Sequence, residues 1–250
     1  MSTENSLPSV LGPADRALGQ GGQHATKLGR SLYSGRALTL LRQAIVDGSL
    51  TSGTPLIETQ LAQQLAVSRG PIRSALAVLE SEGLAETLPN GRMAVVGLSP
   101  ADVHDLIEVR FELELTGVRW GLARDAPLDE VEAAMRAIER ASASDEHLVA
   151  LDMAFHRALV ALGGSRFLLR SWSALAPVIQ TLISTGNRRL SDQDPETHLT
   201  RIIESHSDLM QAVRARDVDA VGARLRTQFE LTESMFARQT TAPLRPEQRP

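Results

Sequence analysis

Cysteine is absent from all 250 residues. This excludes disulfides, thiolate metal sites and a cysteine nucleophile, and it fits a reducing compartment. Aromatic residues make up only 3%, so the cores must be built from Leu, Ile, Val and Ala. No uninterrupted apolar run approaches the ~18 residues that a membrane span needs. The first residues lack the basic region and apolar block of a signal peptide. A cytoplasmic protein without a membrane partner is the expectation. The H-E-x-x-H, G-x-S-x-G and phosphate-cradling glycine patterns are missing too, which counts against an enzyme. Nor is any segment strongly basic. Residues 1–30 carry a net +1, residues 31–98 carry 0 and the remainder −5. Any case for nucleic-acid binding therefore rests on where the cations are placed.

Periodicity divides what is present. Residues 1–30 contain GQGGQ and show no sustained period, so they read as a disordered tail. From Ser34, Leu38, Leu41 and Ile45 fall at helical spacing, with Gly48 as a stop. SGTP (52–55) reads as a turn, and a short helix is expected over Glu58–Leu65. A third helix runs from Arg69 to about Ser81, with Ser68 as its N-cap and Gly83 as a left-handed stop. AETL, PNGR and MAVVG read as strand, tight turn and strand, with Asn90 and Gly91 both suited to positive φ. After Val96 only helices follow: about 100–124, 128–142, 145–162, 166–185, 196–215 and 217–238. Ser99-Pro100 opens the first of them, and Pro177 should kink the fourth. The fold class is mainly α. A small unit at 31–98 precedes an all-α antiparallel bundle at 99–240, and 241–250 is a frayed tail.

The stretch VSRGPIRSALAVLE (67–80) carries the first functional motif. Ile72, Ala75, Leu76 and Leu79 form a buried stripe, while Arg69 and Arg73 share another face. Pro71 is harmless in a first turn, where N–H groups have no helical partner, and Gly70 keeps that turn slim. Two arginines on an isolated helix are ordinarily a solvated face. Here the short preceding helix, the tight turn and the following hairpin match a helix-turn-helix with a wing. In that setting the guanidinium groups can read guanine edges or clamp phosphates, and Gly91 and Arg92 sit at the wing.

Residues 33–97 resemble the winged helix-turn-helix of the GntR family of bacterial transcription regulators. The resemblance rests on Ile45, Gly48, Leu50, Gly53 and Leu56, on the run from Gln60 to Arg73, and on Leu79 to Leu84. It implies that Arg69 and Arg73 contact operator DNA, and the candidate DNA face also takes in Arg36, Thr59, Ser68, Gly70, Gly91 and Arg92. Two departures stand out. Thr59 occupies a position where the family often has Arg, and the wing reads Asn90-Gly91-Arg92 rather than Asn-Arg-Gly. One head offers few contacts, so a homodimer on palindromic double-stranded operator DNA is expected.

The second motif lies in the bundle. Asp152 and His156 are four residues apart on one helical face and could share a divalent cation. His206 lies beside an apolar stripe on a later helix. Each could instead be an ordinary hydrogen-bonded core group. His24, His104, His147 and His198 read as surface residues. Residues 99–240 are similar to the FCD ligand-binding domain of the FadR-type branch of the family. The resemblance implies a metal site at Asp152, His156 and His206, with Zn, Ni or Mn left open. Its fourth position falls on Gln228, a weaker ligand than imidazole. The resemblance also places Arg110 at an effector cavity, where its guanidinium could clamp a small carboxylate. An ion pair between Arg110 and Glu114 is equally compatible with the spacing. The function implied is an effector-responsive regulator, by family default a repressor. A metal sensor and a metal-dependent hydrolase are the alternatives.

Overall fold

The computed structural model describes residues 27–143, 147–191 and 194–240. Residues 1–26 of the expected tail and the whole of 241–250 lie outside them. The chain divides into two compact units between Leu98 and Ser99.

The first unit contains α1 (Lys27–Val46), α2 (Glu58–Gln64), α3 (Arg69–Ser81), β1 (Ala85–Thr87) and β2 (Met93–Val95). α1 begins at Lys27, so the last four residues assigned to the tail are helical. No proline interrupts this stretch, and two glycines weaken a helix by only about 1 kcal/mol each. α1 packs on α3, and Leu41, Leu61, Ile72, Leu79 and Leu84 are buried without exposure. Arg42 on α1 adds a two-pronged ion pair to Glu82, at 2.8 and 2.7 Å.

Three local expectations need correction. Ser68 has the extended N-cap backbone, but its side chain makes no capping bond. The third position after it is Pro71, which has no N–H to donate. In the hairpin only Gly91 has positive φ. The Gly91 N–H donates to Leu88 O at 2.8 Å, and Asn90 instead accepts the Arg92 N–H through Oδ1 at 3.0 Å. The 52–55 stretch is more than a turn: Pro55 pairs with Ala94, and residues 53–56 add a third row to the antiparallel β1–β2 hairpin.

The second unit is helical: α4 (Pro100–Ala123), α5 (Asp129–Glu139), α6 (Leu148–Leu162), α7 (Arg166–Ser191), α8 (Pro195–Arg214) and α9 (Val218–Thr240). Ser99 and Asp102 form a reciprocal capping box at the start of α4. α7 runs through Pro177 and through Gly186, where a break was expected. Gly186 is buried, so packing holds it in the helix against its weak propensity. α4 packs on α6 and α9, α6 also on α5 and α7, and α8 on α9.

Gly117 and Gly121 bring α4 and α6 close together. A Cβ at Gly117 would lie 2.6 Å from Leu159 O and Val160 Cα. Gly117→Ala should therefore cost about 1–3 kcal/mol through overpacking. A thermal-denaturation comparison with Gly222→Ala, whose Cβ would meet only Leu115 methyls at 3.7 Å, checks it.

Candidate functional site

In the first unit Arg36, Thr59, Ser68, Arg69, Gly70, Arg73, Gly91 and Arg92 are all exposed. α3 presents Arg69 and Arg73 while burying Ile72, Ala75, Leu76 and Leu79. The approach into α3 is fixed by Ala66, which takes a left-handed φ of 51°, and by the Val67 N–H donating to Ala62 O at 3.0 Å. Arg73 is not idle. Its Nε and Nη2 donate to the two carboxylate oxygens of Glu58, each at 3.1 Å. That hydrogen bond, with the charge of Arg73 and of Arg69 nearby, lowers the Glu58 carboxyl below its ordinary range.

In the second unit a polar cluster sits in the interior. The buried stripe of α4 contains Arg110 and Glu114 among Ile107, Phe111, Gly117 and Val118. Glu114 is the hub. Its Oε1 accepts from Arg110 Nε at 2.8 Å and from Trp172 Nε1 at 3.2 Å, and its Oε2 faces His156 Nδ1 at 2.6 Å. Arg110 therefore makes the ion pair that its spacing allowed. It also stacks over Phe229, 4.2 Å from the ring centre, and its Nη2 is buried without a partner.

The metal-ligand candidates come together. Asp152 and His156 project from α6, and His206 projects from α8. One donor atom from each lies within 4.8 Å of the others. Burial pushes the His156 imidazole down and Arg110 adds to this, outweighing the upward pull of Glu114 and Asp152. The ring is thus neutral near pH 7. Its Nδ1–H points at Glu114, which leaves the Nε2 lone pair 3.8 Å from Asp152 Oδ1. This is the carboxylate–histidine arrangement that orients a metal-binding imidazole. His206 Nδ1 donates to Ile202 O at 2.8 Å. Its Nε2 faces Asp152 Oδ1 at 3.2 Å without hydrogen-bond geometry. A cation between His206 Nε2 and the carboxylate would give that nitrogen the partner it lacks. Burial pushes the Asp152 carboxyl up, but His156, His206 and Arg110 more than offset it and hold it well below the usual range. Burial raises the Glu114 carboxyl as well, and His156 and Arg110 outweigh this, leaving it lowered.

Gln228 lies on α9 at the same cavity. Its Nε2 donates to Ser205 Oγ at 2.7 Å, and its Oε1 is buried without a partner. Four interior polar atoms are thus unsatisfied here: Arg110 Nη2, Asp152 Oδ2, His206 Nε2 and Gln228 Oε1. Buried polar groups normally have partners, so the residues present fit a bound cation and an anionic ligand. The cavity they share measures about 310 Å³. His104 and His147 are exposed as expected, and His24 lies outside the described residues. His198 is a correction: it is half-buried and lines this cavity. One turn of α8 brings position 198 onto the face of Ile202, a relation its isolated spacing in the sequence did not reveal.

Comparison with known proteins bears on both units. Residues 34–95 match the gntR family of bacterial regulatory proteins, and residues 105–230 match the FCD domain. The gluconate operon transcriptional repressor of Bacillus licheniformis is 30% identical, over 81% of this chain and 84% of its own. The chain belongs to the GntR family. The repressor of the same operon in Bacillus subtilis is 28% identical, over 71% of this chain and 74% of its own. The solved structure of Lar, described as controlling the Listeria monocytogenes agr system, has a TM-score of 0.63 at 16% identity. It covers 87% of this chain and 99% of that one, a likeness of fold alone. This GntR-family chain is accordingly a transcription regulator with an FCD domain, and not an enzyme. Among its described residues no helix is long and apolar enough to cross a membrane.

Two site residues escaped the sequence reading in their full role. Glu114 was visible only as the i+4 partner of Arg110, and its bonds to His156 and Trp172 join α4, α6 and α7. Trp172 gave no signal, because its neighbours in sequence take no part in the site.

Proposed function

We propose that the protein is an effector-responsive repressor that senses a small carboxylate in the FCD cavity. The observation that carries this reading is the convergence of four unsatisfied buried polar atoms on one cavity. Asp152, His156 and His206 would hold a divalent ion, Zn, Ni or Mn, with Gln228 Oε1 as a further oxygen donor. Such an ion supplies a Lewis-acid partner for a carboxylate. Arg110, fixed by Glu114 and Phe229, offers Nη2 to the same carboxylate. The gluconate operon named in the two Bacillus relatives supports an acid as the class of signal.

Arg69 and Arg73, with Arg36, Thr59, Ser68 and Gly70, form the face that enters the major groove. Gly91 and Arg92 of the wing reach the backbone or minor groove. The protein acts as a cytoplasmic homodimer on a palindromic operator, with the second unit setting the spacing of the heads. Only four residues separate β2 from α4, the helix that carries Arg110, and this short link is the route of coupling. An acid that binds one head spacing better than another shifts the population away from the operator-bound form.

Operator binding titrated by gel shift with candidate acids, D-gluconate among them, tests the reading. Release of DNA by an acid, abolished by Arg110→Met, is expected. Affinity that ignores every acid but changes with a chelator alone would instead make the ion itself the signal.

A further inference from the structure

One wall of the cavity extends beyond the metal-ligand cluster. On α8, His198, Arg201, Ile202, Ser205 and His206 line the cavity, and their spacing places them on one face of the helix. Arg201 lies five residues and His198 eight residues before His206. At a rise of 1.5 Å per residue they stand about 7.5 and 12 Å along the axis from the cluster. Arg201 is exposed and has no hydrogen bond or ion pair within the described residues; burial lowers the His198 imidazole, and the nearby charge of Arg201 adds to this. Asp194, which also feels that charge, is committed to capping α8 through Thr197 N–H. Among the described residues Asp152 is the single carboxylate lining the cavity, against Arg110 and Arg201. Asn187, Ser205, Thr232 and Ser234 supply polar groups to its walls.

We propose that the ligand is a dicarboxylic acid of about six carbons: one carboxylate sits at Arg110 and the histidine–aspartate cluster, and the other is paired by Arg201 beside His198. This rests on the acid-sensing reading and deepens it. A monoacid leaves Arg201 facing water. A diacid of that length spans the cavity and gains a charge-assisted contact at its far end. The hydroxyl and amide groups of the cavity walls favour a hydroxylated chain.

Two matched pairs of acids test the proposal by calorimetric titration of the full-length protein as purified: hexanoate against adipate, and D-gluconate against D-glucarate. In whichever pair binds, the diacid should bind at least about tenfold tighter, since hydrogen bonds to charged groups contribute about that much or more. Arg201→Gln should erase the preference, bringing the diacid down to the affinity of its monoacid partner. Equal affinity of the two members overturns the proposal while leaving the acid-sensing reading in place. So does a preference that survives Arg201→Gln. If no acid of either pair binds, the acid-sensing reading falls and the diacid falls with it.

Discussion

Replacing Arg69 and Arg73 together by alanine should weaken operator binding by at least about 100-fold and flatten its dependence on salt. The expectation follows from the chemistry of α3. Each good arginine–base contact carries roughly 1–3 kcal/mol of discrimination, and a dimer would lose two such residues from each head. Removing a cation that neutralises one phosphate should reduce the salt slope by about 0.9. The fold should survive, because both side chains lie outside the buried stripe. The Arg73–Glu58 pair is exposed, and exposed pairs contribute only about 0–1 kcal/mol. Fluorescence anisotropy on operator fragments at several salt concentrations, with circular dichroism as a check on folding, measures both effects. Unchanged affinity and slope in a folded variant would remove Arg69 and Arg73 from the DNA face.

Glu114→Ala should destabilise the second unit by about 3–5 kcal/mol, because it leaves Arg110 as an uncompensated buried charge. Glu114 is fully buried and touches three partners on three helices. Its removal strands Arg110, the His156 Nδ1–H and the Trp172 indole N–H together. For a chain of this size 1 kcal/mol shifts the melting temperature by about 2–4 °C, so a drop on the order of 10 °C is expected. Glu114→Gln should cost less, since it keeps the volume and one acceptor. Arg110→Met combined with Glu114→Met should recover part of the loss, as apolar replacement of a buried pair often does. A melting temperature for Glu114→Ala within about 2 °C of wild type, less than 1 kcal/mol on the same scale, would mean that the hub contributes little.

Much of the fold was legible because its signals are local. Apolar residues at helical spacing marked the body of α1, α2 and α3, Gly83 marked the end of α3, and Gly91 marked the hairpin turn. Asp152 and His156 were legible for the same reason, since four residues along a helix is one turn. Their link to His206, and the place of Arg110 at the cavity, came from resemblance to the FCD domain rather than from spacing. What stayed hidden is tertiary. Glu114 reaches His156 across 42 residues and Trp172 across 58, and no periodicity encodes either pairing. His198 looked solvated because its cavity is assembled from α4, α6, α7, α8 and α9. α7 was cut short at Gly186 because propensity there disfavours a helix, whereas burial against its neighbours carries the helix on. Ser68 satisfied the rule for an N-cap, yet Pro71 removed one of the donors that rule requires.

The proposed coupling between cavity and operator can be tested from the acid's side. Linkage requires that an acid which weakens operator binding by some factor must itself bind the operator-bound protein more weakly by the same factor. Calorimetric titration of one acid into the free protein and into the saturated protein–operator complex gives both affinities. A loss of about 5- to 150-fold in the complex, equal to the loss of operator affinity caused by the acid, is expected. Identical acid affinity in the two states would contradict control of DNA binding from this cavity.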